Sequence, residues 1–144
     1  MLDLILLESE LLNLNSNPPK SKEDAGIVWA DILEKYCKTM IPIVADFSSA
    51  KSAFISSFNS IDIGNGDAIL KASFTAFATQ IGNNMIGYTS TPPPIPIDFS
   101  SLYIQSKAGI TQEECASLMS TIIDNWFKTG SSILISSSTT FIWS

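Results

Sequence analysis

Thr111-Gln112-Glu113-Glu114-Cys115-Ala116-Ser117-Leu118-Met119-Ser120-Thr121-Ile122-Ile123-Asp124-Asn125-Trp126-Phe127-Lys128-Thr129-Gly130 decides the fold. The stretch opens with Thr111 and, three residues on, Glu114. That spacing lets hydroxyl and carboxylate each satisfy an orphan amide at a helix start. Cys115, Leu118, Met119, Ile122, Ile123, Trp126 and Phe127 then recur at i, i+3, i+4 without a gap. Gly130 supplies the stop. A helix this apolar on one side must bury that side against other elements.

The same period repeats upstream. Trp29, Ile32, Leu33, Tyr36, Cys37 and Met40 form a stripe on a helix expected over 21–41, with Ser21 as its cap and Pro42 as its stop. A third helix is expected over 46–59, capped by Asp46, with Phe47, Ala50, Phe54 and Phe58 on one face. Asn65-Gly66 marks a turn. Asp67 then caps a fourth helix over 67–86, striped by Leu70, Phe74, Phe77, Ala78, Ile81 and Met85. Residues 88–101, around Thr91-Pro92-Pro93-Pro94-Ile95-Pro96, read as a loop. Its alternating Ile95, Ile97 and Phe99 point to an extended crossover laid on the body rather than an exposed ligand.

The two ends differ from this body. Leu4, Leu7, Leu11 and Leu14 space a short first helix, and Asn13 to Lys20 breaks it with Asn, Ser and Pro. An arm and linker over 1–20 follow, with 21–144 as a single helical domain. Deleting 1–16 should then leave that domain folded. At the other end, Ile133-Leu134-Ile135 and Phe141-Ile142-Trp143 flank a polar turn and read as a β-hairpin. Two strands alone are barely stable in water, so the hairpin must pack or pair. The expected fold is mainly α: a compact bundle of four to five helices, a Pro-rich crossover loop and a short C-terminal β-hairpin.

What the 144 residues lack narrows the function. There is no His, and all eight basic residues are lysines against fourteen carboxylates, a net charge of −6. A nucleic-acid partner wants a positive footprint, so that class is disfavoured. Ser-His-Asp and Cys-His catalysis cannot be built within this chain, nor can a His/Cys zinc site. Cys37 and Cys115 sit on apolar helix sides and read as buried free thiols. Asp31 and Glu34 share a helix face but nothing opposes them across a cleft, as glycoside hydrolysis requires. Glu34 reads instead as an i, i+4 partner of Lys38. Asp62-Ile63-Gly64-Asn65-Gly66-Asp67 resembles a calcium loop only at its start, because Ser73 falls where the bidentate Glu belongs. The acidic start of the chain, before any Lys, carries no export signal, and no apolar run is long enough for a membrane span. The reading is a non-enzyme with no cofactor and no catalytic, cofactor-binding or metal residue.

Trp29 in a helix ending at Tyr36-Cys37, the Pro42 break, Ser49-Ala50-Lys51-Ser52-Ala53-Phe54 and Ala72-Ser73-Phe74-Thr75-Ala76-Phe77-Ala78 form one set of features. Thr91-Pro92-Pro93-Pro94-Ile95-Pro96, Ile123-Asp124-Asn125-Trp126-Phe127-Lys128-Thr129-Gly130 and Trp143 complete it. This arrangement, over about residues 25–144, resembles small uncharacterised proteins encoded by tailed bacteriophages, especially large contractile-tailed phages of aquatic bacteria. The resemblance implies a phage context and no activity; together with the missing His and Arg and the two ends that cannot satisfy themselves alone, it leads to a structural component of the virion, assembled in the host cytoplasm, in the tail, baseplate or neck before the capsid. Its partners would be other phage structural proteins and itself, with no nucleic acid and no membrane. The expected contacts are Leu4, Leu7 and Leu11 in the arm and Ile133, Leu134, Ile135, Phe141 and Trp143 in the tail. An alternative is a soluble helical module that binds a host protein during infection through its acidic surface. A third reading is a small enzyme using carboxylates alone.

Overall fold

A computed structural model describes residues 1–144. Six helices and three strands follow one another in the order α1 (Leu4–Ser16), α2 (Lys22–Cys37), α3 (Ser48–Phe58), α4 (Gly66–Asn83), β1 (Tyr88–Thr91), α5 (Ser100–Lys107), α6 (Gln112–Phe127), β2 (Ser131–Leu134) and β3 (Thr139–Ile142). The chain is mainly helical, with a small antiparallel sheet.

α6 begins as its sequence requires. The Thr111 hydroxyl accepts from the Glu114 amide at 3.1 Å, and the Glu114 carboxylate accepts from the Thr111 amide at 2.8 Å. Ile123, Trp126 and Phe127 are buried, while Cys115, Leu118, Met119 and Ile122 pack at the margin of the core. Phe74 of α4 sits at the centre. Trp29, Phe54, Phe99 and Trp126 each meet it edge-on, at centroid distances of 5.7–6.0 Å. Edge contacts of this kind add about 0.5–1.5 kcal/mol each beyond area burial.

α1 is part of that core and not an arm. Leu2, Leu7 and Leu11 are buried, and the Asp3 amide donates to the Tyr36 carbonyl at 3.3 Å. The Met1 ammonium donates to the Thr39 carbonyl, and the Thr39 hydroxyl returns a bond to the Met1 carbonyl. α1 runs on through Asn13 to Ser16, expected to break it, and ends only at Asn17, after which the chain turns back onto the body. A leucine stripe left in water would forgo about 1.5–3 kcal/mol per side chain, which decides for docking.

α2 stops at Cys37, earlier than Pro42 demands. Lys38 to Met40 form a turn, and the backbone of Ile41 pairs instead with Ser144: amide to carbonyl at 2.8 Å one way and 3.2 Å the other. The Ile41–Pro42 peptide bond is cis. Asp46 and Asp67 do not stand at the cap positions, which Phe47 and Asn65 occupy. Asp46 still accepts from the Ser48 amide and hydroxyl at the start of α3. Asp67 binds Lys71 at 2.9 Å and accepts from the Tyr103 hydroxyl at 3.1 Å. Glu34 pairs with Lys51 of α3 at 2.8 Å, not with Lys38.

The tail is two strands of a three-stranded sheet. β1, from the segment expected to be a loop, pairs with β2 in the register Tyr88–Leu134 to Thr91–Ser131. β3 pairs with β2 from Ser131–Ile142 to Leu134–Thr139. Trp143, fully buried, anchors the sheet to the helices. Its indole donates to the Ser132 hydroxyl at 2.8 Å, and Ser132 also bonds Ser90 at 2.8 Å and the Met85 sulfur at 3.1 Å. Gly130 is fixed by this ring: a Cβ there would lie 2.5 Å from Trp143 Cε3.

Candidate functional site

Paired residues in an antiparallel sheet share a face, and neighbours along a strand alternate. Ser132 and Trp143 are buried, so the rows Ser90–Ser132–Phe141 and Tyr88–Leu134–Thr139 face the body. The rows Thr89–Ile133–Thr140 and Thr91–Ser131–Ile142 therefore face water. Ser144 and its backbone partner Ile41 continue the outer face by the same alternation. On it Ile133 is 43% exposed, Ile142 57%, Ile41 48% and, past the end of β2, Ile135 67%. None of the three strands contains Asp, Glu or Lys. In a chain of net charge −6 this is a neutral, β-branched island.

The edge beside that face is open. The Trp143 amide donates to the Gly130 carbonyl at 3.0 Å, so odd-numbered residues of β3 bond towards β2. The amides and carbonyls of Thr140 and Ile142 consequently point outward, and β3 is the last strand of the sheet. An uncharged edge without Pro or Lys is a template for strand addition. Ile41 occupies the Ser144 end of it.

The expected contact residues divide accordingly. Ile133 and Ile135 are exposed on the outer face. Leu4, Leu134 and Phe141 are half-buried, and Phe141 turns inward against Tyr88. Leu7, Leu11 and Trp143 are buried in the core and cannot meet a partner, because each fills space that the helices enclose. Ile142 and Ile41 lie on this face outside the expected set. The first is betrayed by strict alternation around Trp143; the second needs the Ile41–Ser144 pairing, which no local pattern announces.

Several carboxylates are engaged locally. Lys51 holds Asp31 at 2.7 Å and Glu34 at 2.8 Å, and these hydrogen bonds keep its ammonium protonated above the usual lysine range. Asp124, 4% exposed, accepts from the Tyr36 hydroxyl at 2.8 Å and from Lys128 at 2.6 Å. Burial, with Cys37 and Asp124 beside it, pushes the Tyr36 hydroxyl far above its usual range, and burial alone raises the Cys37 thiol. No three His, Cys, Asp or Glu side chains converge as metal ligands would, and no helix is long and apolar enough to cross a membrane. The surface has four open depressions of about 260–500 Å³. The one with two carboxylates holds Glu34 and Asp46, already bound to Lys51 and Ser48. No protein-family model matches the chain, and neither does any curated protein or solved structure.

Proposed function

We propose that this protein is a non-enzymatic structural component of a tailed-phage particle, in the tail, baseplate or neck, and that it works through protein–protein contacts. The observation that carries this reading is the neutral outer sheet face, Ile133, Ile135, Ile142 and Ile41, beside the unpaired edge of β3. Exposed apolar surface next to free backbone groups suits a contact made by strand addition. The likeness of residues 25–144 to small phage proteins supplies the setting.

In this reading the six helices form one bundle whose role is to hold the sheet. The Pro92–Pro96 loop is its crossover and not its contact. Pro93, Ile97 and Phe99 are buried, and the Ile95 carbonyl is taken by the Trp126 indole at 2.6 Å, although the Ile95 side chain, expected to point inward, is 72% exposed.

Mass spectrometry of purified particles tests the proposal. The expected outcome is a fixed copy number that is a multiple of three, six or twelve. Absence from particles, with abundant protein in infected cells, would reject it. That result would instead favour a soluble module that binds a host protein. Glu23, Asp24 and Glu113, exposed and paired with no lysine, are among the acidic side chains that reading would use.

A further inference from the structure

We infer that residues 100–110, α5 and the turn after it, form a strap that opens and closes on its own while the rest of the fold stays intact.

The strap is held at its ends and at little between them. Phe99, fully buried against Phe74, fixes its start, and Ala116, buried in α6, lies beyond its end. Between those two residues Leu102 is the only buried side chain. Tyr103 and Ile104 beside it are 40% and 69% exposed. α4 and α6, by contrast, bury six residues each.

Hydrogen bonding isolates the segment in the same way. The amides of Tyr103, Ala108 and Gly109 donate to the carbonyls of Phe99, Gln105 and Ser106, and the remaining backbone bonds of 100–110 lie within α5. A helix of eight residues does not hold itself in water, so closure depends on what ties it to the body. One side-chain bond does so: the Tyr103 hydroxyl donates to Asp67 at 3.1 Å. Lys71 grips the same carboxylate at 2.9 Å and lies 4.0 Å from Asp98. Asp98 in turn accepts from the Ser100 amide and hydroxyl at the foot of α5. Asp67 is therefore the latch, kept in place for Tyr103 by Lys71. These two residues of α4 set how often α5 opens.

The far end of the strap is loose. An open depression of about 260 Å³ lies between its Ser106 and Ile110 and Asn15 of α1. Gly109, at φ 87°, has open space where a Cβ would stand, so the turn can move without meeting a neighbour. Opening takes out one leucine and one hydrogen bond and leaves the aromatic cluster around Phe74 whole. Segments with few buried contacts and only local bonds open well before the whole molecule does.

Hydrogen exchange of the full chain, read by mass spectrometry across a urea series below the unfolding midpoint, tests this. The amides of Tyr103 to Gly109 report the strap, and those of α4 and α6 report the body. The strap should exchange at least about a hundredfold faster than the slowest amides of the body. Its rate should respond little to urea, because a local opening exposes little surface. Leu102→Ala should speed the strap at least about tenfold and Tyr103→Phe about threefold to tenfold, with α4 and α6 unchanged. If Leu102→Ala does not fold, Tyr103→Phe decides. Strap amides as slow as those of α6, with the same response to urea, would overturn the inference. So would folded variants that speed α6 by the same factor as the strap, since Leu102 and Tyr103 would then belong to the global unit. Wild-type strap amides with no protection at all would overturn it too, because the strap would never close.

Discussion

Gly130 shows how much one missing methyl group can decide. Nothing about its backbone demands glycine as a turn former; the demand comes from Trp143, whose ring covers the place where a Cβ would stand, 2.5 Å away. Gly130→Ala should force that buried ring aside and cost about 1–3 kcal/mol, the usual penalty for overpacking. A urea unfolding curve measures it, and an unchanged midpoint would mean that the sheet can shift as a unit. Tyr36 and Cys37, adjacent and buried, make a second prediction. Both hold their protons more tightly folded than unfolded. The unfolded chain releases them above their ordinary values of 9.0 for the thiol and 10.0 for the phenol, so stability is full below about pH 9 and falls as pH rises. Each group contributes a slope of about 1.4 kcal/mol per pH unit once ionised in the unfolded chain. Unfolding midpoints across the alkaline range should show the decline, and Cys37→Ala should delay its onset until tyrosine ionises.

Among the elements, α1 carries the sharpest correction and the sharpest test. Removing residues 1–16 strips Leu2, Leu7 and Leu11 from the core. Large-to-small truncation of one buried leucine costs about 2–5 kcal/mol, and whole domains are stable by only about 5–15 kcal/mol. The deletion should leave a chain without a cooperative thermal transition; a sharp transition near that of the full protein would show that α1 is dispensable. What the sequence disclosed and what it hid also separate at this scale. α6 was legible because a capping box and an unbroken stripe agree. α2 and α4 were legible from their aromatic stripes. β1 was hidden because Thr89, Ser90 and Thr91 carry no apolar alternation, and only its pairing with β2 makes it a strand. α5 was hidden for a similar reason: Leu102 is its one buried residue, among serines that favour no particular structure. The outer sheet face was half legible. Alternation finds Ile133 and Ile142, whereas Ile41 enters through a contact across the length of the chain.

Over the whole molecule, helices and sheet divide the work. The aromatic core, centred on Phe74, fixes the helices. Trp143 and the Ser90–Ser132–Met85 bonds fix the sheet to them. What remains outside is a neutral platform on an acidic body, presented by a rigid base. Residues 39–41 complete the frame, since Met1 bonds Thr39 and Ser144 bonds Ile41. The two ends of the chain therefore come to rest within a few residues of each other. A short glycine-rich bridge from Ser144 to Met1 should convert the protein into a ring. Reopening that ring in the exposed Ser136–Ser138 turn should give a circular permutant with the native circular dichroism spectrum.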